Sequence, residues 1–192
     1  MTSLDPLATE VPGLALRVAV ADDVPVILAF IRELAAYEKL LHECVADEAG
    51  LRATLFGVKP AAEVLLAVLE GEPVGLALYF TSYSTFLARP GLYLEDLFVR
   101  PAARKRGVGA ALMTALARLA VARGYGRFEW SVLDWNEPAL RFYRSLGAQG
   151  MDGWTVQRVT GEALVRLASG TSRDASEASR DATGISGDPA GT

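Results

Sequence analysis

The apolar residues of this chain recur at changing intervals, and each change marks where one element gives way to the next. Leu14 to Val20 alternates and predicts a first strand. Asp22 or Asp23 then caps a helix with Pro25 in its first turn, where the missing amide costs nothing. Val24, Ile27, Leu28, Ile31, Leu34 and Ala35 fall at helical steps and give that helix one apolar face, ending near Tyr37. Asp47 to Phe56 predicts a shorter helix stopped by Gly57. Glu63 to Leu69 and Val74 to Phe80 predict two strands joined by the turn Glu70-Gly71-Glu72-Pro73. Thr81 to Gly91 is expected to be a polar, aromatic loop, and Leu92 to Val99 the next strand. Val108, Leu112, Leu116, Leu119 and Ala120 form a helical stripe that closes at Gly124. Phe128 to Leu133 predicts another strand. Asn136 then caps a helix with Pro138 early in it and Gly147 at its end. Val156 to Val159 is expected to be the last strand, and Ala163 to Leu167 a short closing helix or strand. Strands and helices in this order give an α/β fold with a mixed sheet.

Residues 1–12 are expected to be a loose leader and residues 13–168 one domain. Residues 169–192 hold almost no large apolar side chain, so they cannot bury enough surface to repay ordering. With 51% hydrophobic and 22% charged residues the chain taken as a whole is globular. A net charge of -4 gives no reason to expect nucleic acid as a partner. Cys44 and His42 are each the sole residue of their kind, which excludes an internal disulfide, a cysteine zinc cluster and a multi-histidine metal site. No metal is expected, and acid or base chemistry falls to Tyr, Glu, Asp or Lys. No apolar run is long enough to span a bilayer and residues 1–12 lack the features of a signal peptide, so no membrane partner is expected and the cytoplasm is the default location.

The chemistry concentrates between Tyr93 and Ala110, YLEDLFVRPAARKRGVGA. A strand ends at Pro101, crosses a basic turn, and passes through Gly107 and Gly109 into a helix. The first amides of that helix have no partner within it and sit at the positive end of its dipole, which suits a phosphate. A dinucleotide fingerprint would need glycine where Leu112 stands, and a Walker loop would need Gly-Lys followed by Ser or Thr. Neither fits.

What fits is Arg104-x-x-Gly107-x-Gly109-Ala110 after a strand, which resembles the acetyl-CoA pyrophosphate loop of the GNAT superfamily of N-acetyltransferases. A second block, Asp134-Trp135-Asn136-Glu137-Pro138 with Phe142-Tyr143, is similar to the helix in that family that begins with a cofactor-side asparagine and carries a tyrosine beside the thioester sulfur. The narrower similarity, carried by Leu34-Ala35-Ala36-Tyr37-Glu38, Tyr93-Leu94-Glu95-Asp96-Leu97-Phe98-Val99 and the Trp135 block, is to the diamine N-acetyltransferases of the spermidine/spermine type. Two departures stand out: Lys105 replaces a glycine of the loop, and Tyr83-Ser84-Thr85-Phe86-Leu87 differs from the diamine enzymes. The resemblance implies the GNAT fold, a mixed twisted sheet of about six to seven strands flanked by about four helices.

It further implies acetyl-CoA as co-substrate, a small-molecule amine as acceptor, direct attack of the amine on the thioester in a ternary complex, and a homodimer. An alkyl ammonium with a pKa near 10.4 is about 99.9% protonated at pH 7, so freeing its lone pair costs about 4 to 5 kcal/mol. Glu95 is the expected base, acting through a water, and Tyr143 the acid for the departing thiolate. The backbone of Leu97, Phe98 and Val99 is expected to pair with the pantetheine arm. Arg104, Lys105 and Arg106 are expected to face the pyrophosphate, with the amides of Gly107, Val108, Gly109 and Ala110 in closest contact and Asn136 nearby. Tyr37, Glu38, Glu95, Asp96 and Trp130 are the expected amine-binding residues. Adjacent residues of a regular strand face opposite ways, so Glu95 and Asp96 share a pocket only if a bulge intervenes. On spacing alone Tyr143 belongs to a packing stripe with Ala139, Phe142 and Leu146. Protein or peptide acetylation, and acetyl-CoA binding without turnover, are the other functions open to these residues.

Overall fold

The computed structural model describes residues 7–170. The chain divides after Glu137 into two compact units. The first holds a six-stranded sheet in the order β1 to β6, with β1 Leu7–Ala8, β2 Leu14–Val18, β3 Glu63–Leu69, β4 Glu72–Ser84, β5 Arg89–Val99 and β6 Phe128–Trp130. Strands β1 to β5 are antiparallel in turn and β6 is parallel to β5, so the sheet is mixed as the element order predicts. Helices α1 (Val24–Tyr37), α2 (Glu48–Phe56) and α3 (Val108–Ala122) complete this unit.

Each face of the sheet buries its own stripe. Ile27 and Phe30 of α1 and Leu55 of α2 join Val64, Leu66, Leu76 and Phe98 in one cluster. Leu112, Met113 and Leu116 of α3 are buried, and α3 packs on β3, β4 and β5. Asp47 caps α2 by accepting from the Gly50 amide at 2.7 Å. Asp23 does not cap α1 in this way. Its carboxylate accepts from Arg17 at 2.6 and 2.7 Å and from the Val20 amide, and the Arg17 guanidinium holds it below the usual carboxylate range.

Four expectations are corrected. Residues 7–12 are not loose: Leu7 and Ala8 pair with Leu16 and Ala15, and the Thr9 hydroxyl donates to the Leu14 carbonyl at 3.0 Å. The predicted loop over Thr81 to Gly91 is mostly strand, because Ser84 pairs with Arg89 and leaves only Thr85 to Ala88 as the turn. Strand β6 stops at Trp130, since the Asn136 amide donates to the Leu133 carbonyl and the chain turns there. Val156 to Val159 forms no strand: no neighbour pairs with it among the described residues, and Val156 is 78% exposed.

The second unit contains α5 (Gly161–Ala168) and α4 (Glu137–Ser145) from its second residue on, and neither helix has a fully buried residue. Of the tail expected over residues 169–192, residues 171–192 lie outside the described residues.

Candidate active site

Strand β5 loses a neighbour halfway along. Its parallel ladder with β6 covers only Leu92, Tyr93 and Leu94, opposite Phe128, Glu129 and Trp130. Beyond Leu94, β5 continues to Val99 paired on the β4 side alone. Glu95 to Val99 therefore presents a bare strand edge to which an extended amide-bearing ligand can bond as an added strand.

The same point carries a bulge. Leu78 pairs with Asp96 and Tyr79 with Leu94, so Glu95 is an extra residue with no partner across the ladder. Residues paired across a ladder share a face. Leu78 packs on the α1 side of the sheet, and Asp96 faces that way with it. Tyr79 lines the other face with Leu65 and Ala115 of α3, and Leu94 goes with Tyr79. In a regular strand Leu94 and Asp96 would share one face; the bulge turns Asp96 toward the end of α1.

Glu38 stands at that end. Asp96 is half-buried, and its carboxyl is pushed up to about 6, first by burial and then by the charges of Glu95 and Glu38. Burial also raises the Glu38 carboxyl. Glu95 itself is exposed. Three carboxylates thus meet where β5 becomes bare, and the bulge is what turns Asp96 toward Glu38.

Aromatic side chains and an arginine wall this corner. The Tyr37 hydroxyl donates to Asn136 Oδ1 at 3.2 Å, and the Tyr37 ring lies 6.2 Å from that of Trp135. Arg104 stacks over Tyr37 at 4.8 Å and over Phe98 at 5.9 Å, and its Nε donates to the Val99 carbonyl at 2.9 Å.

At the head of α3, Gly107 takes a left-handed conformation (φ 83°) and no side chain caps the helix. The positive φ favours glycine there, and a Cβ at Gly107 would lie 2.9 Å from Val11 Cγ2, so that side chain would have to shift. The first amides of a 15-residue helix are thereby turned outward without a competing side chain.

The family profile described as Acetyltransferase (GNAT) family matches residues 30–148. The chain belongs to this family. It is an acetyl-transferring enzyme of the GNAT type, whose members use acetyl-CoA as co-substrate. It is 34% identical to L-ornithine N5-acetyltransferase NATA1 of Arabidopsis thaliana over 194 residues, covering 78% of this chain and 85% of that one. It is 40% identical to the thialysine N-epsilon-acetyltransferase of Bos taurus over 164 residues, covering 80% and 96%. A solved integron cassette protein from the mobile metagenome of V. cholerae superposes with a TM-score of 0.70 at 26% identity, covering 81% of this chain and 98% of that one. The bare edge of β5 and the uncapped head of α3 fit acetyl-CoA, the first offering backbone groups for the pantetheine amides and the second an anion site.

Within the first unit of this GNAT enzyme, Tyr37, Glu38, Glu95, Asp96, Arg104 and Asn136 are brought together at one corner. The basic turn differs from expectation. Arg104 folds back on Tyr37 and Phe98, and Arg106 donates to Glu70 at 3.2 Å, so both guanidinium groups have partners inside the protein. Lys105 adopts φ 61°, which explains why glycine suits that position in similar loops. Trp130 packs edge-on against Phe128 at 5.0 Å, and next to it Ser131 Oγ bonds the Tyr93 hydroxyl at 2.9 Å. Tyr143 lies on α4 in the second unit, half-buried, with its ring 5.3 Å from that of Phe142. Sequence reasoning missed the high carboxyl of Asp96 and the pairing of Lys39 with Trp135. The first depends on burial beside a residue 58 positions away and the second on the fold of the 134–136 turn, and neither leaves a mark in the local pattern.

Proposed function

We propose that this protein acetylates a primary amine of a small cationic molecule, a diamine, polyamine or basic amino acid, with acetyl-CoA as donor. The meeting of Glu38, Glu95 and Asp96 beside the bare edge of β5 carries this reading. An acceptor with two ammonium groups loses hydration on entry, and facing carboxylates offset that cost. The relatives named for ornithine and thialysine, both amino acids with a side-chain amine, support the same class of acceptor.

Bound acetyl-CoA supplies the acetyl thioester. The Glu95 and Asp96 pair takes the proton from the acceptor ammonium. A carboxyl near 6 rather than near 4 reduces the uphill transfer from an ammonium by about 2 to 3 kcal/mol. The β5 backbone at Leu97, Phe98 and Val99 holds the pantetheine arm. The amides of Gly107 to Ala110, with Lys105 beside them, hold the pyrophosphate, and Asn136 orients the cofactor side of the site. Tyr37 and Trp130 bound the amine, and the Tyr143 phenol gives its proton to the departing thiolate. In this reading the enzyme works as a homodimer in the cytoplasm.

The test is a thiol-release assay with acetyl-CoA against putrescine, spermidine, lysine, ornithine, thialysine and a lysine-containing peptide. Turnover of at least one free amine well above the peptide is expected. Faster turnover of the peptide, or none of any acceptor while acetyl-CoA still binds, refutes the proposal.

A further inference from the structure

The end of α1 holds a strained residue at the rim of the carboxylate cluster. The Leu40 amide donates to the Ala35 carbonyl at 2.8 Å and the Lys39 amide to Ala36 at 3.2 Å, a closing turn whose left-handed position usually belongs to glycine. Here that position is Lys39, at φ 65°. A side chain in this conformation costs on the order of 1 kcal/mol, and such strain persists where another interaction over-determines it.

The interaction is with Trp135. Lys39 Nζ lies 5.2 Å from the centroid of the Trp135 ring, which in turn packs on Tyr37. Trp135 is 50% exposed, so this ammonium is held at the mouth of the corner and not within it. One residue earlier, Glu38 belongs to the three carboxylates that meet at Asp96. A cation and one of the three carboxylates therefore stand on consecutive residues at one helix end, with the other two carboxylates on β5 beside them.

We propose that Lys39 binds the carboxylate of an amino-acid acceptor, so that the site takes α,ω-diamino acids in preference to plain diamines of the same length. This rests on the small-amine reading above. A diamine meets Lys39 as a like charge near its far end. A diamino acid carries at that end both an ammonium and a carboxylate, and the carboxylate is complementary to Lys39 while the ammonium groups remain opposite Glu38, Glu95 and Asp96. Lys39 is thus a specificity residue that acts through charge at the rim and takes no part in the proton transfer.

Ornithine and putrescine differ only by the carboxylate, as do lysine and cadaverine, so each pair isolates the interaction. Lys39→Asn removes the charge and retains a residue that tolerates the left-handed backbone, and Lys39→Arg keeps the charge. For the wild-type protein kcat/KM is expected to be higher for ornithine than for putrescine. In Lys39→Asn the ornithine-to-putrescine ratio of kcat/KM is expected to fall at least about tenfold, chiefly through the KM of ornithine, and in Lys39→Arg to stay within about threefold of wild type. A ratio that Lys39→Asn leaves unmoved, a wild-type preference for putrescine, or an equal loss on both substrates overturns the role of Lys39 alone. Absence of wild-type turnover on all four amines overturns the small-amine reading and this inference with it.

Discussion

Replacing Asp96 with Asn is expected to stabilise the protein at alkaline pH and to leave its stability unchanged in acid. In the folded protein the Asp96 carboxyl is raised from 3.8 to about 6 by burial and by Glu95 and Glu38. The folded state therefore binds this proton more tightly than the unfolded chain does. The stabilisation from that proton is fully present below about pH 4 and is lost as pH rises through about 6. A difference of about two on the pH scale, at about 1.36 kcal/mol each, sets an upper bound near 3 kcal/mol. Asp96 is half-buried and solvent screens part of this, which leaves about 1 to 2 kcal/mol. Asn never ionises and so avoids the loss. Urea unfolding followed by tryptophan fluorescence at pH 4 and pH 8 is expected to show no difference between Asp96→Asn and wild type at pH 4. At pH 8 a gain of about 1 to 2 kcal/mol is expected, or roughly 2 to 8 °C in Tm. A gain that does not change with pH, or a loss at pH 8, refutes the reasoning. On the proposed reading the same carboxylate serves the acceptor, so stability and activity trade against each other at this position.

Tyr143→Phe is expected to lower kcat by about two to four orders of magnitude while calorimetric binding of acetyl-CoA is kept; unchanged kcat removes Tyr143 as the acid. Lys105 sits at φ 61°, so Lys105→Val is expected to cost about 1 to 2 kcal/mol, whereas Lys105→Gly stays within about 0.5 kcal/mol because relief of strain is offset by the greater freedom of the unfolded chain. Thermal unfolding of both variants checks the pair, and equal effects would show that the backbone angle is not what constrains this position.

Much was determined by the sequence alone because its causes are local. Helical spacing in Val24 to Tyr37 and in Val108 to Ala122, alternation in Glu63 to Leu69, and Gly107 before the helix each depend on a few neighbouring residues. Two separated motifs were enough to name the family, which the match over residues 30–148 bears out. The short turn at Thr85 to Ala88 was hidden because polar and aromatic residues such as Tyr83 read as loop until a partner strand is there to pair with them. Val156 to Val159 shows the reverse, an alternation with no strand to pair it. Only tertiary structure decided the chemistry of the corner. An unpaired residue at Glu95 is a property of two strands in register, the raised carboxyl of Asp96 needs first its burial in the fold and then the charges of Glu95 and Glu38, and the seat of Lys39 needs Trp135. A carboxylate's proton affinity is set by what surrounds it in space, and the order of residues along a chain specifies those surroundings only through the fold.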